Sequence, residues 1–195
     1  DHNIIGEELK KKNTNSYYTW VIDPIDGTKS MIMNLPTWSN LIGLFKNNDC
    51  ILSWANFPIL EKYYLAYDDK VFVSNNNELK KIKTNIKADI KNSKLTINTL
   101  HSLRDKKVYK HVMNFKGFFK VTGVDAYNFC SIAEGKYDVL IESGLKIVDI
   151  LPIILIVKNS GAIITDWKGG QNFSEGKVLV SANKKIHNYY LKKLN

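Results

Sequence analysis

The stretch TWVIDPIDGTKS, residues 19–30, decides how this chain folds. Its apolar part predicts a buried strand over residues 18–23, and Pro24 is expected to close that strand because proline donates no hydrogen bond. The segment DGT, residues 26–28, is typical of a turn that leads into a helix. Two carboxylates therefore stand between the end of a buried strand and the start of a helix.

These two carboxylates, Asp23 and Asp26, have apolar neighbours that should be buried, where an unpaired charge is costly. With the main-chain carbonyl of Ile25 they form an all-oxygen set of the kind that binds Mg²⁺. Gly27 and Thr28 would offer free N–H groups to a phosphate at a helix N-terminus. Considered singly, Asp26 is first interpreted as an ordinary helix N-cap and Asp23 as a turn former.

Acidic residues occur at two further places of the same kind. Glu7 and Glu8 follow a short strand expected at residues 4–5, and Asp149 interrupts an apolar run over residues 147–151. Carboxylates at three such transitions predict one shared site. For a single acid such as Asp149, a cap or a buried ion pair is the alternative.

The rest of the chain alternates between strand and helix patterns. Strands are predicted at residues 41–45, 50–57, 63–67, 71–74, 95–97, 117–121, 137–141, 162–165 and 178–180. Helices are predicted at residues 103–115, 125–134, 150–158 and 183–194. Residues 10–16 are expected to form a polar loop and residues 75–94 an exposed, lysine-rich connection. This order indicates a layered α/β protein, with one domain over 1–195 in two halves, 1–92 for metal and phosphate and 93–195 for the last metal ligand and the substrate.

The formal charge of +9 does not indicate a nucleic-acid partner. Arg104 is the only arginine among the 28 basic residues, and the densest basic tract, residues 80–94, contains no aromatic residue. The longest apolar stretch, residues 147–157, is far shorter than the ~20 residues that span a membrane. Cys50 and Cys130 show no metal-ligand spacing and suit free thiols in a reducing, cytoplasmic compartment.

The chain opens without an initiator methionine, and its fifth residue is already part of a predicted strand. We therefore expect a further segment before residue 1, where any targeting signal would lie.

Three motifs resemble the inositol monophosphatase family of Mg²⁺-dependent, lithium-sensitive phosphatases. They are GEE at residues 6–8, WVIDPIDGT at 20–28 and GLKIVD at 144–149. Within that family, GVDAYNF at 123–129, IESGLK at 141–146 and GAIITDWKGG at 161–170 resemble the histidinol-phosphate phosphatase branch. The resemblance covers essentially the whole chain.

The resemblance implies a layered α/β/α/β sandwich of the inositol monophosphatase and fructose-1,6-bisphosphatase type, here without its N-terminal helices. It implies two or three Mg²⁺ ions and a catalytic role for Glu7, Asp26 and Thr28, with Thr28 orienting the attacking water. Gly27 and Thr28 would bind the phosphate. The implied metal ligands are Glu7, Asp23, the Ile25 carbonyl, Asp26 and Asp149.

Substrate choice is expected to depend on two residues: by the resemblance, Glu142 matches a family position that contacts the organic part of the substrate, and Asp125 stands where inositol phosphatases usually have a small neutral residue. Two additional carboxylates suit the ammonium and imidazole of L-histidinol phosphate, so the expected reaction is its hydrolysis in histidine biosynthesis. A helix cap is the alternative for Asp125. The other functions considered are an inositol-1-phosphate or other small sugar-phosphate phosphatase, and a non-catalytic phosphate- or nucleic-acid-binding relative. The expected partner is a small phosphate ester, with no nucleic acid and no membrane; a homodimer is compatible with the sequence.

Overall fold

The computed structural model describes residues 1–8, 11–75 and 78–195. These residues form a seven-stranded sheet followed in the chain by a five-stranded sheet. The strands of the first sheet are β1 Asn3–Gly6, β2 Tyr18–Asp26, β3 Ser39–Lys46, β4 Asp49–Phe57, β5 Lys62–Tyr67, β6 Lys70–Asn75 and β7 Glu78–Lys81. They are ordered as in the chain, and only the β1 and β2 pair is parallel.

The second sheet has the order β11, β12, β10, β8, β9. Its strands are β8 Lys94–Ile97, β9 Phe118–Val121, β10 Val139–Glu142, β11 Ile163–Thr165 and β12 Val178–Ser181. The neighbours β9, β8 and β10 run parallel, whereas β12 is antiparallel to both β10 and β11. The helices are α1 Thr28–Ile32, α2 Lys106–Met113, α3 Ala126–Ala133, α4 Ile147–Ile150, α5 Ile154–Asn159 and α6 Lys184–Leu194.

Two hydrophobic clusters show how the layers stack. One lies between the sheets and joins residues such as Leu41 of β3 to Phe129 of α3 and Val180 of β12. The other packs α2 and α6 on the second sheet, where Val108 and Tyr190 are fully buried. The predicted layered α/β fold is therefore confirmed, as sheet, helices, sheet and helices. The division into halves at residues 92 and 93 stays a prediction, although the two sheets lie within residues 3–81 and 94–181.

The expectation that Pro24 closes β2 is wrong. The strand continues to Asp26, and its pairing with β3 shifts register between Asp23 and Asp26. A β-bulge accommodates proline because a bulged residue does not need to donate a ladder hydrogen bond. The Pro24 carbonyl instead accepts a hydrogen bond from Asn40 Nδ2 at 2.7 Å.

The expected connection over residues 75–94 contains the edge strand β7, whose residues are all exposed. Such a strand has no buried face, so it lacks the alternation that predicts a strand. Residues 76 and 77, like residue 10 of the expected N-terminal loop, lie outside the described part of the chain.

The helix predicted over residues 150–158 is not continuous. It consists of α4, a 3₁₀ turn at Leu151–Ile153 and α5. Pro152 lies in the turn because it lacks the N–H that a continuous helix would use. It packs closely on β3, where a Cβ on Gly43 would lie 2.8 Å from the Pro152 Cα.

Parallel pairing positions the acidic residues. The parallel pairing of β1 with β2 ends at Gly6 and Ile22, so Glu7 and Asp23, the next residue of each segment, lie side by side. Strands β8, β9 and β10 also run in one direction, and the carboxyl ends of parallel strands are where α/β proteins bind ligands. Among the described residues, no helix is long and apolar enough to cross a membrane.

Candidate active site

Three carboxylates from distant parts of the sequence form a compact group. Glu7, Asp23 and Asp149 each offer one oxygen, and these atoms lie within 4.8 Å of one another. Glu7 follows β1, Asp23 lies in β2, and Asp149 lies in α4. Carboxylate oxygens at this spacing fit a hard divalent cation.

Asp23 shows that this group is incompletely satisfied by the protein. Its Oδ1 accepts a hydrogen bond from the Ile25 N–H at 3.0 Å, whereas Oδ2 is buried and has no donor among the described residues. Burial, with the charges of Asp26 and Glu7, raises the pKa of Asp23 to about 8. An orphaned carboxylate oxygen beside two other acids fits a bound cation.

Asp26 lines the same cleft, outside this 4.8 Å group. Its Oδ2 accepts from Ser39 Oγ at 2.8 Å and from the Ala126 N–H at 3.4 Å. Burial, followed by the charge of Asp125, raises the pKa of Asp26. The N-cap of α1 is Gly27 and makes no side-chain capping bond, so Asp26 is not the helix cap.

The predicted phosphate residues stand at the start of α1. Gly27 has a φ of 75°, a left-handed conformation that glycine adopts without strain. Thr28 Oγ donates to the Ile25 carbonyl at 3.2 Å, which fixes the hydroxyl beside the acids. Because no side chain caps α1, its first N–H groups remain available to an anion.

A cleft of 520 Å³ contains all the predicted site residues except Glu142. On the side of the second sheet it is lined by Asp125, Asn98, Thr99, His101 and Gly123. The structure thus brings the acids of both halves to one cavity. It also leaves room there for the organic part of a small phosphate ester.

Asp125 occupies the N-cap position of α3 but makes no side-chain capping bond. Its Oδ1 instead accepts a hydrogen bond from Asn98 Nδ2. Burial, followed by the charge of Asp149, raises the pKa of Asp125. The carboxylate therefore faces the cleft, and the alternative of a helix cap is excluded.

Glu142 is not placed as the predicted substrate contact requires. It has no exposed surface at the end of β10, and neither carboxylate oxygen has a hydrogen-bond partner among the described residues. Burial, followed by the charge of Asp125, raises the pKa of Glu142 well above its usual range. Glu142 therefore lies behind the cleft wall, beyond the lining residues. Glu8, the other acid near β1, is exposed and does not line the cleft.

Sequence reasoning missed Lys146 and Asn98. The Lys146 Nζ donates to Glu7 Oε1, and its backbone N–H donates to Asp149 Oδ2 at 2.6 Å. Asn98 follows β8, a central parallel strand. The signal for Asn98 was its position directly after a short apolar strand, where side chains reach the ligand edge of a parallel sheet.

Comparison with known proteins identifies the family of this chain. The model of the inositol monophosphatase family matches residues 1–195. A bifunctional phosphatase IMPL2 (chloroplastic) of Arabidopsis thaliana is 33% identical over 172 residues, which are 86% of this chain and 49% of the relative. The chain therefore spans about half the length of that relative.

Other relatives are covered more fully. A fructose-1,6-bisphosphatase/inositol-1-monophosphatase of Aquifex aeolicus is 29% identical over 98% of this chain and 72% of its own length. A histidinol-phosphatase of Chlorobaculum parvum is 28% identical over 94% of this chain and 70% of its own length. The solved structure of an inositol monophosphatase from Zymomonas mobilis superposes with a TM-score of 0.82 at 26% identity, covering 99% of this chain and 75% of that one.

Proposed function

The chain belongs to the inositol monophosphatase family, and on that premise we propose that it is a Mg²⁺-dependent phosphomonoesterase that hydrolyses L-histidinol phosphate. Water and the ester give L-histidinol and inorganic phosphate. The family is metal-dependent and typically uses Mg²⁺. We propose two or three ions, held by Glu7, Asp23, the Ile25 carbonyl, Asp26 and Asp149.

The observation that carries the substrate proposal is the cleft position of Asp125. Its carboxylate lines the same cavity as the acidic group, within reach of the charges of Asp149 and Asp26, and makes no helix cap. A substrate that carries a cationic ammonium and imidazole besides its phosphate would pair with this carboxylate. The similarity to a histidinol-phosphatase supports the same choice.

Mg²⁺ held by Glu7, Asp23, Asp26 and Asp149 would supply an activated water and neutralise negative charge on the phosphoryl group and the leaving oxygen. The chain's residues do the positioning. The first N–H groups of α1 at Gly27 and Thr28 bind phosphate oxygens, and the Thr28 hydroxyl, held by the Ile25 carbonyl, orients the attacking water. Asp125 binds the cationic end. Positioning and charge neutralisation are the main requirements of phosphoryl transfer.

Glu142 has a supporting place in this proposal. Since Glu142 is buried behind Asp125 and its pKa is raised by burial, it supports the wall that carries Asp125 and does not contact the substrate. We also propose a cytoplasmic location, supported by two free cysteines, Cys50 and Cys130. A homodimer is a further proposal, which light scattering would test.

The second candidate is an inositol-1-phosphate or other small sugar-phosphate phosphatase. It is favoured by the likeness to the Zymomonas enzyme and by the fact that only one additional acid, Asp125, lines the cleft. A screen for phosphate release with Mg²⁺ distinguishes the candidates. L-histidinol phosphate, inositol 1-phosphate and adenosine 3′,5′-bisphosphate would be compared with metal-free controls. No release from any of them would favour a non-catalytic binding protein.

The charge of Asp125 is tested by substitution. Asp125→Asn should lower kcat/KM for L-histidinol phosphate about ten- to a hundredfold, since a hydrogen bond to a charged group contributes about 1.5–3 kcal/mol. For phenyl phosphate, whose organic part is uncharged, the variant should keep nearly the kcat/KM of the wild type. Glu142→Gln should have the smaller effect of the two. Equal losses on both esters would remove the support for a cationic substrate.

A further inference from the structure

Asn98 stands between the two acids of the substrate end. Thr96 of β8 pairs with Leu140 of β10, so two residues further on Asn98 stands opposite Glu142. Unlike Glu142, Asn98 lines the cleft.

The backbone of Asn98 is held in place. Its carbonyl accepts a hydrogen bond from the Gly123 N–H at 2.9 Å, and the preceding Ile97 carbonyl accepts from the Thr122 N–H at 3.1 Å. The segment that carries Asp125 is thereby tied to the end of β8. A side chain on such a fixed backbone is pre-organised for binding.

The side chain of Asn98 is used at one end only. Nδ2 donates to Asp125 Oδ1, and no described residue donates to the amide oxygen Oδ1. Because the amide is planar, its oxygen is presented next to the nitrogen that Asp125 holds. The cleft therefore offers two neighbouring acceptors, the Asp125 carboxylate and the Asn98 Oδ1.

A buried network behind them adds a second observation. Thr96 and Thr122 donate their hydroxyls to Asn128 Oδ1 at 3.3 and 2.9 Å, while Asn128 Nδ2 and both oxygens of Glu142 are buried without partners. These groups lie behind the cleft; the acceptors that reach the cleft itself are the Asp125 carboxylate and Asn98 Oδ1, and Lys29 and His101 line it as well. Two adjacent acceptors, one of them a carboxylate, favour a ligand group that brings positive charge and N–H donors.

We propose that Asn98 is a specificity-determining residue that fixes Asp125 through Nδ2 and accepts an N–H of the substrate's cationic end through Oδ1. The inference rests on the proposed function and deepens it. An ammonium group has three donors, and Asp125 alone leaves part of that capacity unmet. Asn98 supplies the second acceptor, and the preference for a nitrogenous cation over a polyol comes from the charge of Asp125, which Asn98 holds in position.

The test compares Asn98→Leu with a matched control, Asn85→Leu. Asn85 Nδ2 donates to Asp138 Oδ1 at 2.9 Å, an amide–carboxylate pair outside the cleft. The KM and kcat are measured for L-histidinol phosphate and for phenyl phosphate. Asn98→Leu should raise KM for L-histidinol phosphate about tenfold or more and leave the kinetics of phenyl phosphate within about twofold. Asn85→Leu should leave the KM and kcat of both esters unchanged.

A second variant keeps the outcome decisive. Asn98→Ser retains one oxygen that can donate and accept, and should recover part of the loss. In both Asn98→Leu and Asn98→Ser, L-histidinol should also become a weaker competitive inhibitor of phenyl phosphate hydrolysis. Equal changes on both esters, or an unchanged inhibition constant, would overturn the role of Asn98. A wild-type enzyme that cleaves phenyl phosphate but not L-histidinol phosphate would instead overturn the proposed function itself.

Discussion

Lys146 donates from its Nζ to Oε1 of Glu7, a contact that joins the end of β1 to the loop before α4 across 139 residues. Glu7 is one of the three clustered acids, and Lys146 lines the same cleft. The hydrogen bond and charge of Glu7 raise the pKa of Lys146. A protein cation therefore offsets part of the negative charge that a bound metal would neutralise.

Lys146→Met is expected to strengthen Mg²⁺ binding. Removing the ammonium takes away a charge that opposes the metal, so the Mg²⁺ concentration for half-maximal activity should fall several-fold. The melting temperature in EDTA should fall, because the acids lose the ion pair between Lys146 and Glu7. Titration calorimetry and thermal scans measure both effects. A weaker affinity for Mg²⁺ would show that Lys146 supports the site.

Asp23→Asn and Asp149→Asn should each abolish most of the activity with little change in fold. Each substitution removes a charged oxygen from the acidic group, which lowers the affinity for the ion and the stabilisation of the transition state. Activity at rising Mg²⁺ concentrations and circular dichroism provide the measurements. Near wild-type turnover at saturating Mg²⁺ would rule out that residue as a ligand.

The pKa of Asp23 predicts how stability depends on pH without metal. The folded pKa, about 8, lies above the ordinary value of 3.8, so the folded state binds the proton more tightly than the unfolded state. This contribution is fully present below the unfolded pKa and is lost as the pH rises from about 4 to about 8. Urea unfolding in EDTA should show this decline in wild type and a smaller one in Asp23→Asn. Between pH 6 and 8, saturating Mg²⁺ should remove the difference between wild type and Asp23→Asn in how steeply stability changes with pH.

Glu134 ties α3 to the first sheet, and its loss should destabilise the protein. Its Oε2 accepts from Lys62 Nζ and Tyr64 Oη, both at 2.6 Å, and Lys136 Nζ lies 3.0 Å away. Glu134→Gln should lower the free energy of unfolding by about 1–3 kcal/mol. Its pKa is lowered by these hydrogen bonds although burial opposes them, so this stability is lost as the pH falls through the folded pKa. The exposed Glu175, exchanged for glutamine, is the control and should have little effect on urea unfolding.

The buried His187 should cause a further loss of folding stability at acidic pH. It is buried, with Nε2 3.0 Å from Thr165 Oγ and Nδ1 unpartnered among the described residues. Burial lowers the pKa of His187 from 6.5 to about 4. Stability is therefore full above about 6.5 and is lost as the pH falls towards about 4, because the unfolded state takes up the proton first. His187→Gln should flatten this part of the unfolding profile, and an unchanged slope would contradict the assignment.

Local sequence determined the main elements of this protein. Apolar alternation and turn residues predicted β2 to β6, and the motif DPIDGT predicted the turn into α1, because these features depend on neighbours in the chain. The acids Asp23, Asp26 and Asp149 could be singled out since charges in apolar runs need a reason. The same reasoning failed for β7, an exposed edge strand, and for Pro24, where a bulge kept the strand intact.

Tertiary structure decided what the acids face. Glu142 and Asp125 read alike in the sequence, yet pairing of β8 with β10 buries the first, while the second turns to Asn98 and the cleft. Likewise, Lys146, just before α4, contacts Glu7, just after β1, although 139 residues separate them in the chain. Burial and partnership of a charge are set by which strands pair and in what register, a property of residues far apart in the chain that local pattern does not contain.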